Sequence, residues 1–452
     1  MKDNILIEVR IPLNLHEPLN QSLAFRGRHE SAVFGLASHA RLQRKTLLLV
    51  KKIFSLPADA YVRSAAHGAK WTGRAMIPIL NEAISEKLGV IVFHTHPHHG
   101  TVSLSGDDRS SATTLLPTFQ NLVGSRPHAS FVLGEDHAAG MVLMPGQGGF
   151  RERVRVRFIG KTIRDLECDE QSVVRDLRDE VHHRQALLTG TDGEQNIKRA
   201  KISIVGLSGG GSHVVQQLAH LGVGEIIGID GERVETSNRG RLIGMTELDA
   251  LLHRRKTSVM ARMVRRINRK VKFMEVPAHL PCQSAIDALK ESDIVIGCLD
   301  NFHAKADLQE LAWRYMIPYI DIGMLIRPDK QSGQITIGGN VLTLIPGGFC
   351  QWCNDFLSEA KLKAETGGRT RSYFEGGEKQ AQVVSFNGTL ASQAVTEVLQ
   401  LLTGFAPTAG EFTVKKFDGL EGTIQNWSVK KKLDCSYCQN SLAGGDPVWE
   451  QF

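Results

Sequence analysis

Over the first 150 positions, apolar and polar residues alternate in short runs, and TLLLVKKIFSL, VIVFHTH, ASFVLG and GMVLM read as strands. One helix stands out among them, GRAMIPILNEAISEKLG, and the turn-rich MPGQGGF closes the region. RERVRVRFIGK alternates as one more strand, and a charged helical run follows from about Arg164 to Ala186, so residues 151–180 read as a connector. From Lys201 the period changes. KISIVG, a glycine-rich turn, helix HVVQQLAHLGV, strand EIIGIDGERV, helix ALLHRRKTSVMARMVRRIN, strand VKFMEVPAHL, helix QSAIDALKES and strand DIVIGCLD predict a parallel, doubly wound sheet. The chain is therefore expected to be α/β, with an α+β domain over 1–150, a doubly wound, Rossmann-like domain over 181–440, and a glycine-rich, loosely ordered tail over 441–452.

Composition narrows the function classes. At 452 residues the chain needs at least two hydrophobic cores. Apolar content of 42% and charged content of 23% are those of a globular protein, and no apolar stretch approaches the roughly 18 residues of a membrane span. The opening MKDNILIEVRIPLNLHEPLN breaks its apolar residues with charge and proline, unlike a secretory signal, so a cytoplasmic protein is expected. A net charge of +6, spread out except at RRINRKVK, implies neither nucleic acid nor membrane as partner. Among seven cysteines, Cys350/Cys353 and Cys435/Cys438 form two CxxC pairs, which suit a closed tetrahedral structural zinc better than disulfides. Cys168, Cys282 and Cys298 remain outside that set.

FHTHPHHGTVSLSGDD carries the first candidate site. His94 and His96 alternate at a strand end and share a face. With Asp108 they make three ligands, leaving a fourth position open for water, the arrangement of a hydrolytic zinc. Glu30, in GRHESAVFGL, is placed to take the proton from that water. This Glu, HxHP, SxxD pattern resembles the JAMM (MPN-type) metalloproteases over roughly residues 5 to 145. The resemblance implies Glu30 as general base, His94, His96 and Asp108 as ligands of a catalytic zinc, and Ser105 as hydrogen-bond donor to the oxyanion. The spacer between His96 and Ser105 is one residue longer than the family's. Read without that insertion, Leu104 and Asp107 would take the places of Ser105 and Asp108, and the serine would be lost. His98 and His99 flank a glycine and read as solvated.

The second site begins at VGLSGGGSHVVQQLAHLGVGEIIGID. Gly206, Gly209 and Gly211 let phosphates approach a helix N-terminus, with Asp230 on ribose hydroxyls, and to this point a dinucleotide dehydrogenase fits equally well. Asn238, Arg241, Lys256 and Asp300 change the picture. An amide, two cations and a metal-binding carboxylate are what adenylyl transfer needs to stabilise charge on the α-phosphate and pyrophosphate, and hydride transfer needs none of them. The set resembles the ThiF/MoeB and ubiquitin-activating enzyme family over about residues 180 to 440, including HHRQALLTGTDGEQNIKRAKISIVG upstream and the CxxC pairs downstream. Ser208 replaces one turn glycine, and Glu232 replaces the second acid of DxD.

By that resemblance Asp230 holds ribose, Asn238, Arg241 and Lys256 hold phosphates of ATP, Asp300 holds magnesium, and Arg184 reaches the nucleotide of a homodimer partner. Ser358 to Gln382 reads as a mobile loop over the substrate tail. Residues 354 to 434 contain no cysteine, so the reaction is expected to stop at the acyl adenylate, with Cys282, then Ser372 and Ser385, as the internal nucleophiles left open. The two resemblances together imply a partner with a ubiquitin-like fold and a Gly-Gly-type tail. The first reading is a fused protease and activating enzyme of a ubiquitin-like conjugation pathway, with a conjugating enzyme as further partner. Sulfur-carrier processing and activation for thiocarboxylate formation is the alternative, and a noncatalytic scaffold for ubiquitin-like folds is a third.

Overall fold

The computed structural model describes residues 5–23, 31–62, 70–96, 102–146, 149–167, 181–328, 334–365, 381–406 and 413–446. The chain splits into two compact units, Met1–Val174 with Arg314–Met316 and Asn440–Phe452, and Arg175–Trp313 with Ile317–Gln439. Among the described residues no helix is long and apolar enough to cross a membrane.

The first unit runs β1 (Leu6–Pro12), α1 (His16–Leu23), β2 (Ala32–Arg41), β3 (Lys45–Ser55), α2 (Gly73–Ser85), β4 (Gly89–His94), α3 (Gly106–Val123), β5 (His128–Leu133), β6 (Ala138–Leu143), β7 (Phe150–Arg151), β8 (Val154–Ile159) and β9 (Ile163–Glu167). These strands form a 9-stranded mixed sheet in the order β7-β6-β5-β4-β2-β3-β1-β8-β9. Both faces are buried. Ile91 and Phe93 of β4 join a core with Ile7, Val9 and Phe131 on one face, while Val90 and Val92 join Met76 and Ile79 of α2 and Leu116 and Phe119 of α3 on the other. This alternation is the pleat at work, and it assigns His94, two positions after Val92, to the face that α3 covers.

The four expected strands and α2 are present, but the region holds more than one helix. α3 has a weak apolar stripe, with Ala112, Leu116, Phe119 and Val123 buried among threonines and serines, and it carries Pro117. The connector expected over 151–180 is also corrected. Val154–Ile159 pairs with β1 in parallel, and Ile163–Glu167, expected to be helical, turns back as β9. The alternation of RVRVRF is thus used inside the sheet, its arginines at 155 and 157 meeting Asp165 and the buried Glu8. Residues 168–180 lie outside the described residues. Of the tail expected over 441–452, the described residues 441–446 are packed: Leu442 and Ala443 are buried, and the Asp446 N–H donates to the His39 carbonyl at 2.9 Å; residues 447–452 lie outside the described residues.

The second unit runs α4 (His183–Arg199, interrupted at Gly190), β10 (Lys201–Val205), α5 (Gly209–Leu221), β11 (Glu225–Ile229), α6 (Glu247–Leu251), α7 (Lys256–Ile267), β12 (Lys272–Val276), α8 (Gln283–Lys290), β13 (Ile294–Gly297), α9 (Phe302–Arg314), β14 (Tyr319–Pro328), β15 (Ile335–Leu344), α10 (Glu359–Glu365), α11 (Val384–Thr403), β16 (Thr413–Asp418), β17 (Thr423–Ser428) and α12 (Ser436–Ser441). Its 8-stranded sheet has the order β12-β11-β10-β13-β14-β15-β16-β17. The first five of these strands are parallel as expected, and β15, β16 and β17 add on antiparallel. The sheet is therefore mixed. The single helix expected over ALLHRRKTSVMARMVRRIN is two, because His253 adopts φ 44 between α6 and α7 and so restarts the helix at Lys256. Strand order reverses at β10: β11 and β12 lie on one side, β13 and β14 on the other. A crevice at the carboxyl ends of β10 and β13 is the place where such a sheet receives a ligand.

Candidate functional site

In the first unit, the end of β4 and the start of α3 bring three predicted ligands together. His94 Nε2 lies 3.0 Å from Asp108 Oδ1, and His96 Nε2 lies 3.2 Å from Asp108 Oδ2. Ser105 is the N-cap of α3 and forms a capping box with Asp108: its N–H and its hydroxyl each donate to Oδ2 at 2.7 Å, and its Oγ accepts the Asp108 N–H at 3.1 Å. It is Asp108, not Asp107, that faces the histidines. Burial raises the Asp108 carboxyl, but the hydrogen bonds from His94 and from Ser105 outweigh it and hold the group well below the usual carboxylate range. Ser105 spends its hydroxyl on orienting Asp108, which differs from the expected oxyanion contact. One ligand atom from each of the three lies within 4.8 Å of the others, so His94, His96 and Asp108 could hold one metal ion. Glu30, His98 and His99 lie outside the described residues.

In the second unit, the glycine turn between β10 and α5 sits at the switch point. Gly206 has φ +89, and a Cβ there would lie 2.5 Å from the carbonyl oxygen of Cys298; one on Gly211 would lie 1.9 Å from that of Gly206. Only glycine lets the turn close this tightly against the end of β13. Gly209 lies beneath Arg241, whose Cδ would be 3.6 Å from its Cβ, and beside the Asn387 amide. Asp230, at the tip of β11, takes the Leu207 N–H on Oδ2 and the Glu232 N–H on Oδ1, each at 2.8 Å. The Lys256 ammonium, buried at the first position of α7, hydrogen bonds to Glu232 and lies 3.9 Å from Asp230 Oδ2.

The two acids respond in opposite directions. Burial pushes the Asp230 carboxyl up, and Lys256 with the two backbone donors only partly offsets this. For Glu232 burial also raises the carboxyl, but the hydrogen bond from Lys256 prevails and holds it down. Asn238 is buried and its Oδ1 accepts the Glu235 N–H at 3.0 Å, which fixes the short turn carrying Arg241. Asp300 is exposed just past the end of β13. Arg184 is exposed on the first turn of α4, beside Leu187 and Leu188, which are 78% and 60% exposed. The structure thus gathers Gly206, Gly209, Gly211, Asp230 and Lys256 around one turn, with Arg241 over Gly209. Asn387 on α11, which also borders the turn, carried no motif in the sequence.

The four paired cysteines converge. Cys350 Sγ lies 3.7 Å from those of Cys353 and Cys435, and Cys353 Sγ lies 3.4 Å from that of Cys438. All four are buried. Sulfurs about 3.8 Å apart are what zinc–sulfur bonds of about 2.3 Å demand of a tetrahedron, so the cluster fits a structural zinc. Burial, and Asp321 beside it, push the Cys298 thiol up to about 12 against the pull of Lys305, which leaves it a protonated, packed group. Cys282, the N-cap of α8, is shifted down by the Ser284 hydroxyl and by backbone N–H groups. Cys168 and Ser372 lie outside the described residues, and Ser385 lies on the first turn of α11. Part of the expected mobile loop, Glu359–Glu365, is helix α10.

Comparison with known proteins bears on the second unit. The sulfur carrier protein ThiS adenylyltransferase of Escherichia coli (strain K12) is 27% identical over 269 residues, 59% of this chain and 97% of that protein. The sulfur carrier protein adenylyltransferase of Thermus thermophilus is 26% identical over 260 residues, 57% of this chain and 89% of that one. The molybdopterin-synthase adenylyltransferase of E. coli is 26% identical over 275 residues, 60% and 98% of the two chains. A crystal structure of E. coli MccB with ATP aligns at 21% identity and a TM-score of 0.47 over 58% of this chain and 75% of that chain. Residues 182–438 match the ThiF family. With more than half of its length in that match, the chain belongs to the ThiF family.

Proposed function

We propose that the chain activates the C-terminal carboxylate of a small sulfur-carrier protein by ATP-dependent adenylation. The observation that carries this reading is the glycine turn at the switch point, braced by Asp230 and Lys256 and overlain by Arg241. A carboxylate oxygen of the carrier attacks the α-phosphorus of ATP, the bond to the bridging oxygen breaks, and pyrophosphate leaves with the electron pair. The turn N–H groups and the N-terminus of α5 receive the phosphates. Arg241 and Lys256 balance charge that builds on the α-phosphate and leaving group. Asp230, with both oxygens engaged by backbone, keeps the turn in shape and would hold the ribose hydroxyls. Asp300 would hold magnesium, which when bound neutralises charge on the phosphates. Attack by sulfide on the adenylate then expels AMP and leaves a thiocarboxylate; a persulfide donor would instead leave an acyl disulfide, whose S–S bond a second thiol must cleave to release the thiocarboxylate.

The named relatives, two of them acting on sulfur carriers, favour this outcome over a conjugation pathway. Arg184 beside two exposed leucines favours a homodimer in which Arg184 serves the partner's site. The experiment is to incubate the enzyme with ATP, sulfide and a candidate carrier ending in Gly-Gly, and to read the mass of the carrier C-terminus. A thiocarboxylate is expected. Transfer of the carrier to a cysteine of a conjugating enzyme, with no thiocarboxylate, would favour the conjugation pathway instead.

A second reading, for the first unit, is favoured by the His94, His96 and Asp108 cluster: a JAMM-type zinc peptidase that trims the carrier tail or removes attached groups. Zinc held there would supply an acidified water. Asp108 is locked by Ser105, His94 and His96 approach it from one side, and Glu30 would take the proton. Cleavage of a carrier precursor by wild type, but not by His94→Ala, tests it.

A further inference from the structure

Two helices start beside the switch point, and the chain treats their N-termini in opposite ways. The cap residue of α5, Ser208, makes no side-chain hydrogen bond to the first turn, so it does not compete with a phosphate there. α9 begins at Phe302, two residues after Asp300, and its opening N–H groups are taken. Glu365 accepts the Phe302 N–H on Oε1 at 2.9 Å and the His303 N–H on Oε2 at 3.0 Å, while Asn301 Oδ1 accepts the Ala304 N–H at 2.7 Å.

Glu365 arrives from a distant stretch of chain. It is the last residue of α10, a helix with no buried residue. Two further contacts join the same elements: His303 Nε2 bonds to the Leu362 carbonyl at 3.2 Å, and the Lys361 ammonium lies 5.6 Å from the centre of the Phe302 ring. The two bonds from Glu365 draw on the charge of the carboxylate and on the positive end of the helix dipole. That carboxylate has two effects. It fixes the first turn of α9, and with it the short link from Asp300, and it cancels the attraction that an open α9 N-terminus would exert on a triphosphate.

We propose that Glu365 is a positioning residue of the adenylation site: its grip on the first two N–H groups of α9 holds Asp300 in place for magnesium and leaves the triphosphate to α5. This rests on the adenylation reading, in which Asp300 is the metal-binding carboxylate. It also explains why a helix with no buried face is held beside the crevice.

The test uses the full chain and the variants Glu365→Gln, which keeps shape but loses charge, and Glu365→Asp. ATP binding is measured by calorimetry across a magnesium titration, and amide hydrogen exchange is followed for the peptide containing Phe302 and His303. In Glu365→Gln, exchange at that peptide should rise and the magnesium needed for half-maximal ATP binding should increase by roughly two- to fivefold, the size of one charge interaction at a helix end. Glu365→Asp should fall between. Faster exchange with an unchanged magnesium requirement would reduce Glu365 to a tether and overturn the proposal, as would unchanged exchange. A wild-type chain that binds no ATP at any magnesium concentration would instead contradict the adenylation reading, and this inference with it.

Discussion

Asp230 supports the glycine turn directly: its Oδ2 accepts the Leu207 N–H at 2.8 Å, while Oδ1 takes the Glu232 N–H. Asp230→Asn would turn one acceptor into a donor facing an N–H group. A buried donor without an acceptor costs about 1–3 kcal/mol. Adenylation should fall by at least about a hundredfold, while a melting experiment should register only a loss of that size. Unchanged activity would show that the turn holds its shape without Asp230.

Metal analysis should find about two equivalents of zinc per chain. Cys350→Ser should unfold or precipitate the second unit, because metal binding at a closed four-cysteine site is folding energy. His94→Ala should lose one equivalent and keep its fold. Equal damage from both changes would refute this division between a structural and a catalytic ion.

Buried charge in the first unit sets a pH dependence. Burial raises the Glu8 carboxyl, but Lys45, Arg157, Arg10 and Arg155 together pull it well below the usual range. Arg10 Nε is 2.7 Å from Glu8 Oε1. A carboxyl depressed in the folded state contributes stability above its unfolded value of about 4.3, and that contribution drains away as pH falls from there toward the folded value. Glu8→Gln should cost about 3–5 kcal/mol near neutral pH, as expected for breaking a buried pair. The gap from wild type should narrow below about pH 4. A gap that stays constant from neutral to acid in denaturant titrations would show that the charge is not what matters.

The absence of cysteine between residues 354 and 434 predicts that the acyl adenylate passes directly to an external acceptor. Cys282 is the internal exception to check, since its thiol is shifted down and half-exposed. Enzyme, ATP and carrier, run on denaturing gels with and without reductant, should show no reductant-sensitive adduct. An adduct that disappears in Cys282→Ala would overturn direct transfer.

What could be read in the sequence followed from where the chemistry is local. The β10–turn–α5 passage was legible because glycine spacing, strand pattern and the acid at residue 230 lie within one stretch. Asp108 is less plain: Ser105 and Asp108 satisfy both a metal-site pattern and a capping box, and α3 itself gives a weak signal because threonines and serines dilute its apolar stripe. The break at His253 was hidden because HRRKTS looks helical, although the new start it makes is what places Lys256 at the head of α7. β9 gives little strand signal, because its five residues carry more charge than pattern. Glu365 gave no signal at all, since its partners are Phe302 and His303 on another helix and their donors are backbone.

ATP–pyrophosphate exchange with a Gly-Gly carrier decides whether the chain adenylates a carrier tail. Exchange should require the free carrier carboxylate, vanish when the tail is amidated, be lost in Asp300→Ala and persist in His94→Ala. Exchange that survives Asp300→Ala, or none from the wild-type chain with any carrier of this class, would contradict the adenylation reading.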